Sequence, residues 1–284
     1  MAAIFCQSSG HAIIGAKSLA EALKVAFNRF IRNTTERFSA SSQGKIWQDF
    51  YINVYLGHYS DFLNRLSDSL QDNSKVLDFG CGDGKYLVQF CGRKSCYGVG
   101  ADISAENLHK AIRNALSGRR RHQTDFVQTD VNHLPFREKA FDSCFIINVF
   151  HHVSDFLSME QLYKAMKNGG MLLIIDSPGT NPFKFIVRKM ARYVGDSILG
   201  YGQTFLFFTP ATLKHAVSRA GFKVVKEDFK EYFFEYFGLL FLFLPLANFI
   251  SRGTLLALHK IELKLGRFRF LNEFCTCVLL YCVK

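Results

Sequence analysis

Residues 78–84 of this 284-residue chain read Asp-Phe-Gly-Cys-Gly-Asp-Gly, between an apolar run that ends at Leu77 and a predicted helix that begins at Lys85. A glycine-rich turn between a strand and a helix lets the backbone approach a bound ligand closely, because no Cβ is in the way. The dinucleotide-binding fingerprint would place glycine at position 85, where this chain has lysine. The turn therefore predicts a ligand-binding strand–helix unit of another kind, although any α/β protein can contain such a turn.

Strands and helices alternate from residue 75 onward. Short runs rich in Val, Ile, Leu and Phe alternate with segments of helical spacing, and Ser104, Thr209 and Gly221 are typical helix start or stop residues. Repeated strand–helix units predict a parallel sheet with helices on both faces, which binds ligands beyond the carboxyl ends of its strands. We predict strands at residues 75–79, 95–101, 125–128, 141–148, 170–176, 222–225 and 276–283, and helices at 18–70, 85–91, 104–116, 157–167 and 209–220.

An acid ends the second predicted strand. Asp102 follows Asp78 by 24 residues, and a carboxylate at this place can accept two hydrogen bonds from ribose hydroxyls. Nicotinamide-dependent enzymes share this feature, so Asp102 alone does not distinguish one nucleoside cofactor from another. The alternative interpretation is an acid at a helix start, which the helix dipole favours.

Four further motifs follow in order along the chain. They are D-V-N-H-L-P-F at residues 130–136, N-V-F-H-H-V at 148–153, K-N-G-G at 167–170 and A-G-F at 220–222. Together with the glycine turn, the series resembles the class I S-adenosylmethionine (SAM)-dependent methyltransferases, in particular the group known as methyltransferase type 11. The resemblance covers about residues 75–225, and Asn168 stands where that family usually has proline.

This resemblance implies an α/β fold: a Rossmann-like, doubly wound, mostly parallel seven-stranded sheet with an antiparallel C-terminal strand. Outside the residues that the resemblance covers, the residue pattern adds N-terminal helices and an apolar helical insertion to this fold. The resemblance implies SAM as the cofactor. Asp102 would bind the ribose, Asp130 the adenine amino group, and Asn148 would lie behind the methionine part. The full set of implied cofactor contacts is Asp78, Gly80, Cys81, Gly82, Asp102, Ile103, Asp130, Val131 and Asn148.

Two histidines follow the fourth strand, beside the expected cofactor. Methyl transfer to a hydroxyl or an acidic carbon requires a base, and histidine titrates near neutral pH. We name His151 as the candidate catalytic base, ahead of His152; the alternative is a histidine that packs against or caps the next helix.

No metal site is expected, because none of the eight cysteines forms a zinc-type pair. Unpaired cysteines indicate a reducing, cytoplasmic location.

The net charge of +11 favours an anionic partner, or serves solubility alone. Nucleic acid is disfavoured as the substrate, because the enzymes that methylate amino groups of DNA and RNA typically carry N-P-P-Y or D-P-P-Y where this chain has N-V-F-H at residues 148–151. No RNA-binding module accompanies the core. Oligomeric state is left open by the sequence.

We divide the chain into an N-terminal helical cap, residues 1–70, and a SAM-binding domain, residues 71–284, with insertions at about 177–208 and 229–274. Within the cap, residues 18–32 have the spacing of a basic amphipathic helix. Within the second insertion, residues 236–250 carry no charge, are too short to span a bilayer and contain Pro245. The apolar segment 229–250 predicts either peripheral contact with a membrane or a lid buried over an apolar pocket.

The sequence thus predicts a SAM-dependent methyltransferase that acts on a small, hydrophobic or lipid-like acceptor, with transfer to oxygen or carbon favoured over nitrogen. Two alternatives stay open. One is an RNA-directed methyltransferase, which only the net charge supports. The other is a non-catalytic subunit that keeps the SAM-binding fold and stabilises a partner protein through the apolar segment.

Overall fold

The computed structural model describes residues 45–46, 57–117, 123–130, 133–152, 158–182, 208–230, 250–265 and 267–284. The predicted helix at residues 18–32 lies outside this part of the chain. The elements in chain order are α1 Gly57–Ser69, β1 Ser74–Phe79, α2 Lys85–Arg93, β2 Cys96–Asp102, α3 Ala105–Ser117, β3 Thr124–Gln128, β4 Phe141–Ile147, a 3₁₀ helix Phe150–His152, α4 Ser158–Ala165, β5 Met166–Asp176, α5 Pro210–Arg219, β6 Lys223–Lys230, α6 Arg252–Leu265, a 3₁₀ helix Arg269–Phe274 and β7 Cys277–Val283.

The strands form one seven-stranded sheet in the order β3-β2-β1-β4-β5-β7-β6. Strands β1 to β5 pair in parallel, and β7 runs antiparallel to both of its neighbours, β5 and β6. The predicted α/β fold with an antiparallel C-terminal strand is confirmed. The order reverses at β1, where the chain crosses from one half of the sheet to the other, and this is where ligands of such sheets bind.

Two apolar clusters, one on each face, hold the sheet between its helices. The central strands β1, β4 and β7 are buried at nearly every position, as expected of strands that are covered on both faces. Helix α1 covers one face: Phe62 and Leu66 are fully buried there, and the Phe62 ring lies 5.6 Å from that of Tyr281. Helix α5 covers the other face through Leu213 and Val217.

The start of α5 shows how the sequence sets a helix boundary. The Thr209 hydroxyl accepts a hydrogen bond from the Thr212 N–H at 3.0 Å, and the Thr212 hydroxyl accepts one from the Thr209 N–H at 2.8 Å. Pro210 then occupies the first turn, where its missing N–H has no consequence. The predicted Thr209 cap is confirmed.

Both insertions leave the sheet at the same edge. Strand β5 ends at Asp176, which is paired with Val278 near the start of β7. Strand β6 ends at Lys230, which is paired with Cys277. The carboxyl ends of β5 and β6 and the beginning of β7 therefore lie at the edge where β1 to β4 also end, which is the edge of the predicted ligand site.

Within the described residues, no helix combines the length and the apolar character that crossing a membrane requires. Of the predicted apolar segment 229–250, residues 231–249 lie outside these residues. Its predicted roles as a membrane contact or a lid stay predictions, as does the division into a cap and a SAM-binding domain.

Candidate cofactor-binding site

The glycine turn between β1 and α2 has the backbone conformation that its sequence predicts. Gly80, Gly82 and Gly84 have φ angles of 76°, 53° and 70°, in the left-handed region that L side chains rarely adopt. The N–H groups of Gly80 and Cys81 both donate to the carbonyl oxygen of Ala101, at 2.8 and 2.9 Å. The turn is thereby fixed to the end of β2, and its later residues project past the edge of the sheet.

Two glycines of the turn differ in what surrounds their missing side chains. A Cβ at Gly80 would lie 2.4 Å from Cγ2 of Val149, so that position is filled by the residue that follows β4. A Cβ at Gly82 would meet no atom within 4 Å. Gly80 therefore serves close packing of the chain on itself, whereas the space at Gly82 is open to a ligand.

Asp102 at the end of β2 holds the turn with its carboxylate. Oδ2 accepts a hydrogen bond from the N–H of Gly82 at 2.8 Å, and Oδ1 accepts one from the N–H of Ser104 at 2.9 Å. Ser104 also caps α3, as predicted, by accepting from the N–H of Asn107 at 3.2 Å. A carboxylate oxygen has more than one lone pair, so both oxygens keep capacity to accept from a ligand's hydroxyls.

The residue after Asp102 presents an apolar surface at the same edge. The Ile103 side chain is 65% exposed, and its carbonyl oxygen accepts a hydrogen bond from the Gln128 amide at 3.1 Å. An exposed apolar side chain beside a ribose-type carboxylate is suited to contact a flat nucleobase. The Gln128 contact is one that the sequence analysis missed, because it joins the ends of two strands that are distant in sequence.

The remaining predicted contacts lie at the ends of β3 and β4. The Thr129 N–H donates to the carbonyl oxygen of Asp102 at 3.0 Å, which places the Asp130 turn beside it. Val131 lies outside the described residues. Asn148 has a φ of 57° and donates its N–H to Ile175 at 2.8 Å. The backbone of His151 lies in the 3₁₀ helix that follows, and its role as a base stays a prediction.

A sequence model described as a methyltransferase domain matches residues 53–227, more than half of the chain. The chain belongs to this methyltransferase domain family. The predicted class I SAM-dependent methyltransferase fold is thereby confirmed. The prediction that the glycine turn is not a dinucleotide-binding fingerprint is confirmed with it.

Two curated relatives show which kinds of methyltransferase this chain is similar to. A tRNA (carboxymethyluridine(34)-5-O)-methyltransferase of Arabidopsis thaliana is 37% identical over 111 residues, which is 38% of this chain and 25% of that protein. Cycloartenol-C-24-methyltransferase of the same plant is 25% identical over 183 residues, 64% of this chain and 54% of that protein. The chain thus matches a quarter to about half of the length of these two curated relatives.

Among solved structures, geranyl diphosphate C-methyltransferase from Streptomyces coelicolor A3(2) superposes with a TM-score of 0.57 at 13% identity. The match covers 80% of this chain and 78% of that one. That enzyme was crystallised with Mg²⁺, geranyl diphosphate and S-adenosyl-L-homocysteine (SAH). At this identity the likeness shows the shared fold, and with the family match it supports SAM as the cofactor of this methyltransferase.

Asp78 fits a cationic cofactor of this kind. Its side chain is only 3% exposed, and among the described residues its Oδ2 has no hydrogen-bond partner. Burial raises the pKa of the Asp78 carboxyl well above its ordinary value, and the nearby charges of Asp102 and Asp83 raise it further. SAM carries a sulfonium and an ammonium group, and a cation in this crevice would stabilise the Asp78 carboxylate.

Replacing Asp78 with Asn should raise the stability of the cofactor-free protein at neutral pH. Because the folded-state pKa of Asp78 is raised above the ordinary 3.8, the native state binds the proton more tightly than the unfolded state does. The free energy of unfolding therefore falls as the pH rises from 3.8 to the folded-state pKa. At pH values above the folded-state pKa, a pKa that folding raises by one lowers the free energy of unfolding by about 1.4 kcal/mol. Urea unfolding at pH 4 and pH 7 should show the variant gaining most at pH 7. An equal difference at both pH values would contradict this.

Cys81 lies in the glycine turn with its side chain buried. Burial raises the pKa of its thiol, as does the nearby charge of Asp78, so the thiol is a poor nucleophile. Within the described part of the chain none of the seven cysteines forms a disulfide bond, and no cluster of ligands suited to a metal ion is found.

The structure adds an acid that the sequence analysis passed over. Asp176 ends β5 and is fully buried, and its carboxylate accepts hydrogen bonds from the N–H groups of Val149, Phe150 and Ser177 at 2.8, 2.6 and 2.7 Å. The available signal was an acid that ends a strand of apolar residues. Its partners lie up to 27 residues away in sequence, and no spacing rule connects them.

Proposed function

We propose that this chain transfers the methyl group of SAM to an oxygen or carbon atom of a small, largely apolar acceptor. The observation that carries the proposal is the position of three exposed phenylalanines in the second insertion. Phe268, Phe270 and Phe274 are 53%, 72% and 46% exposed, in and just before the 3₁₀ helix that leads into β7. Exposed aromatic side chains at this density are characteristic of ligand or interaction sites.

The place of these side chains relative to the cofactor residues supports an acceptor role. The segment enters β7 at Cys277, at the sheet edge where Asp102 and Asn148 also lie. The segment after β5 is fastened to it: the Thr180 hydroxyl donates to the carbonyl oxygen of Glu273, and the Asn181 amide donates to that of Phe274. An acceptor held against these phenylalanines would lie at the same sheet edge as the predicted cofactor residues.

Methyl transfer from SAM requires mainly alignment of the reactants from the protein. SAM supplies a methyl group on a positively charged sulfur, and transfer is an in-line displacement in which the enzyme contributes alignment at about 3–3.5 Å. Asp102 and the glycine turn would hold the cofactor, and the insertions would hold the acceptor. His151, in the 3₁₀ helix after β4, is our candidate for removing the acceptor's proton.

A labelling experiment tests this proposal. Full-length protein and methyl-labelled SAM are incubated with cell extract, which is then separated into an organic-soluble pool and an RNA pool. We expect label in the organic-soluble pool. Phe270→Asp should lower that transfer at least tenfold with the affinity for SAM unchanged, because it places a charge on the acceptor surface.

The matched control is Leu116→Asp. Leu116 is also exposed and apolar, 52% by area, but it lies near the end of α3, at the opposite edge of the sheet. Its replacement should leave transfer intact. Equal loss in both variants, or label that enters neither pool, would contradict the proposed acceptor class.

RNA is the second candidate acceptor. The tRNA methyltransferase of Arabidopsis thaliana is 37% identical over its matched region, and the chain carries a net charge of +11. In the same experiment an RNA acceptor would draw the label into the RNA pool. Transfer would then fall steeply between about 50 and 200 mM salt, because phosphate contacts release counterions. That pattern would overturn the apolar acceptor.

Peripheral contact with a membrane through residues 229–250 is a further part of the proposal. Apolar residues bordered by Lys226, Lys230 and Arg252 suit an anionic bilayer surface. Vesicles that contain phosphatidylserine should float with the wild-type protein and not with a Leu240→Asp/Phe241→Asp variant. If the double substitution leaves flotation unchanged, the proposed membrane contact is contradicted.

A further inference from the structure

Asp176 connects the end of β5 to the turn that follows β4. Its Oδ2 accepts from two consecutive backbone N–H groups, those of Val149 and Phe150, and its Oδ1 accepts from the N–H of Ser177. The residue is 0% exposed. A fully buried carboxylate is costly unless such donors surround it, so this arrangement fixes the turn firmly to β5.

The same turn is also pressed against the glycine turn. The Val149 side chain fills the space at Gly80, where an added Cβ would lie 2.4 Å away. The Phe150 ring is buried and lies 6.4 Å from the ring of Phe79. The turn therefore contacts β1 through its side chains and β5 through its backbone, and Asp176 supplies the bonds on the β5 side.

The residues on either side of these contacts are those for which the sequence predicts a role in cofactor binding or methyl transfer. Asn148 precedes Val149 and adopts a left-handed φ of 57°. His151 and His152 follow Phe150 in the 3₁₀ helix. A shift of the two anchored N–H groups would move the predicted methionine contact and the predicted base together.

We propose that Asp176 is a positioning residue for methyl transfer: its carboxylate sets the place of residues 148–152 against the glycine turn and thereby aligns the cofactor with the acceptor. The inference rests on the proposed function. Asp176 acts through backbone groups of the turn and touches neither reactant itself.

Asp176→Asn is the test variant, because the amide has nearly the same volume but offers one acceptor oxygen in place of two. At least one of the three backbone N–H groups then faces an amide NH₂ in place of an acceptor, and the others bond to a neutral oxygen in place of a charged one. We expect the dissociation constant for SAM, measured by isothermal titration, to rise about tenfold, which corresponds to about 1.4 kcal/mol. Transfer of label to the acceptor pool should fall further, by about a hundredfold, because alignment suffers as well as binding.

Asp142→Asn is the matched control. Asp142 also binds a backbone N–H, that of Lys75 at 2.8 Å, and the Lys167 ammonium at 2.7 Å, but it lies near the start of β4, at the opposite sheet edge. This control should lose thermal stability without a change in SAM affinity. If the two variants lose stability equally and neither changes SAM affinity or transfer, Asp176 is only structural and the inference fails, while a wild-type protein that binds SAM leaves the proposed function intact.

A measurement on the wild-type protein keeps the test decisive if Asp176→Asn does not fold. Hydrogen exchange at the Val149 and Phe150 amides is read by NMR with and without saturating SAH. Binding of SAH should slow exchange at both amides, because the anchored turn borders the cofactor. Exchange rates that SAH leaves unchanged would overturn the positioning role.

Discussion

Replacing Asp102 with Ala is expected to weaken SAM binding about a hundredfold or more. Two hydrogen bonds between ribose hydroxyls and a carboxylate are lost, each of about 1.5–3 kcal/mol, and a hundredfold corresponds to about 2.7 kcal/mol. The Gly82 and Ser104 N–H groups lose their acceptor as well, so the glycine turn loosens. Isothermal titration with SAM and with SAH measures the effect directly.

Asp125→Ala is the control for the loss of a negative charge nearby. Asp125 lies in β3, one strand from β2, and hydrogen-bonds the exposed hydroxyl of Tyr97. Its removal should change SAM affinity less than twofold. An Asp102→Ala protein with unaltered SAM affinity would show that this carboxylate does not bind the ribose. An equal drop in SAM affinity in both variants would show that the loss of a negative charge alone causes the effect.

Gly80→Ala should give the largest loss of stability in the glycine turn. An L-residue at the φ of 76° costs about 1–2 kcal/mol, and the new methyl would collide with Val149 at 2.4 Å, an overpacking that costs about 1–3 kcal/mol more. Val149 can yield only by moving the turn that Asp176 holds. Urea unfolding should therefore show a loss of about 2–5 kcal/mol.

Two other glycines separate packing from ligand contact. Gly82→Ala meets no atom, so its stability loss should be only the cost of its φ of 53°, but its methyl would enter the open space and weaken SAM binding. Gly92→Ala, in α2 with nothing nearby, should be neutral or slightly stabilising. If Gly80→Ala were no less stable than Gly92→Ala, the described packing of Val149 on the turn would be wrong.

The parts of the fold that follow from local chemistry were predictable from sequence. The glycine turn needs φ angles that only glycine adopts easily, and helix α5 begins at a threonine followed by proline. Apolar runs predicted the central strands, because strands buried on both faces have few polar positions. The order of motifs along the chain placed Asp102, Asp130 and Asn148 at successive strand ends, as the structure has them.

Features that depend on distant pairing were less predictable. Strand β6 runs to Lys230, five residues beyond its predicted end, because charged residues at an edge strand hide the pattern while pairing with β7 still supports it. Strand β5 begins at Met166 rather than after the predicted turn, since Lys284 exchanges backbone hydrogen bonds with Gly169 and Gly170 and draws that segment into the sheet.

Asp176 and α6 show two further limits. The carboxylate of Asp176 binds N–H groups that lie 26 and 27 residues earlier in the chain, a relation that appears only once β4 and β5 are paired. Helix α6 fell within the second insertion, where no motif matched the family and apolar residues are frequent all round. Its buried Glu262 gives no periodic signal of a helix.

Direct titration of the purified full-length chain with SAM, alongside SAH and NADH, tests the central claim: a buried acid, a ribose-binding acid and a glycine-rich turn form the cofactor site of a methyltransferase. We predict one-to-one binding of SAM and SAH and no binding of NADH. Binding of NADH in place of SAM, or no detectable binding of either SAM or SAH, would contradict the account.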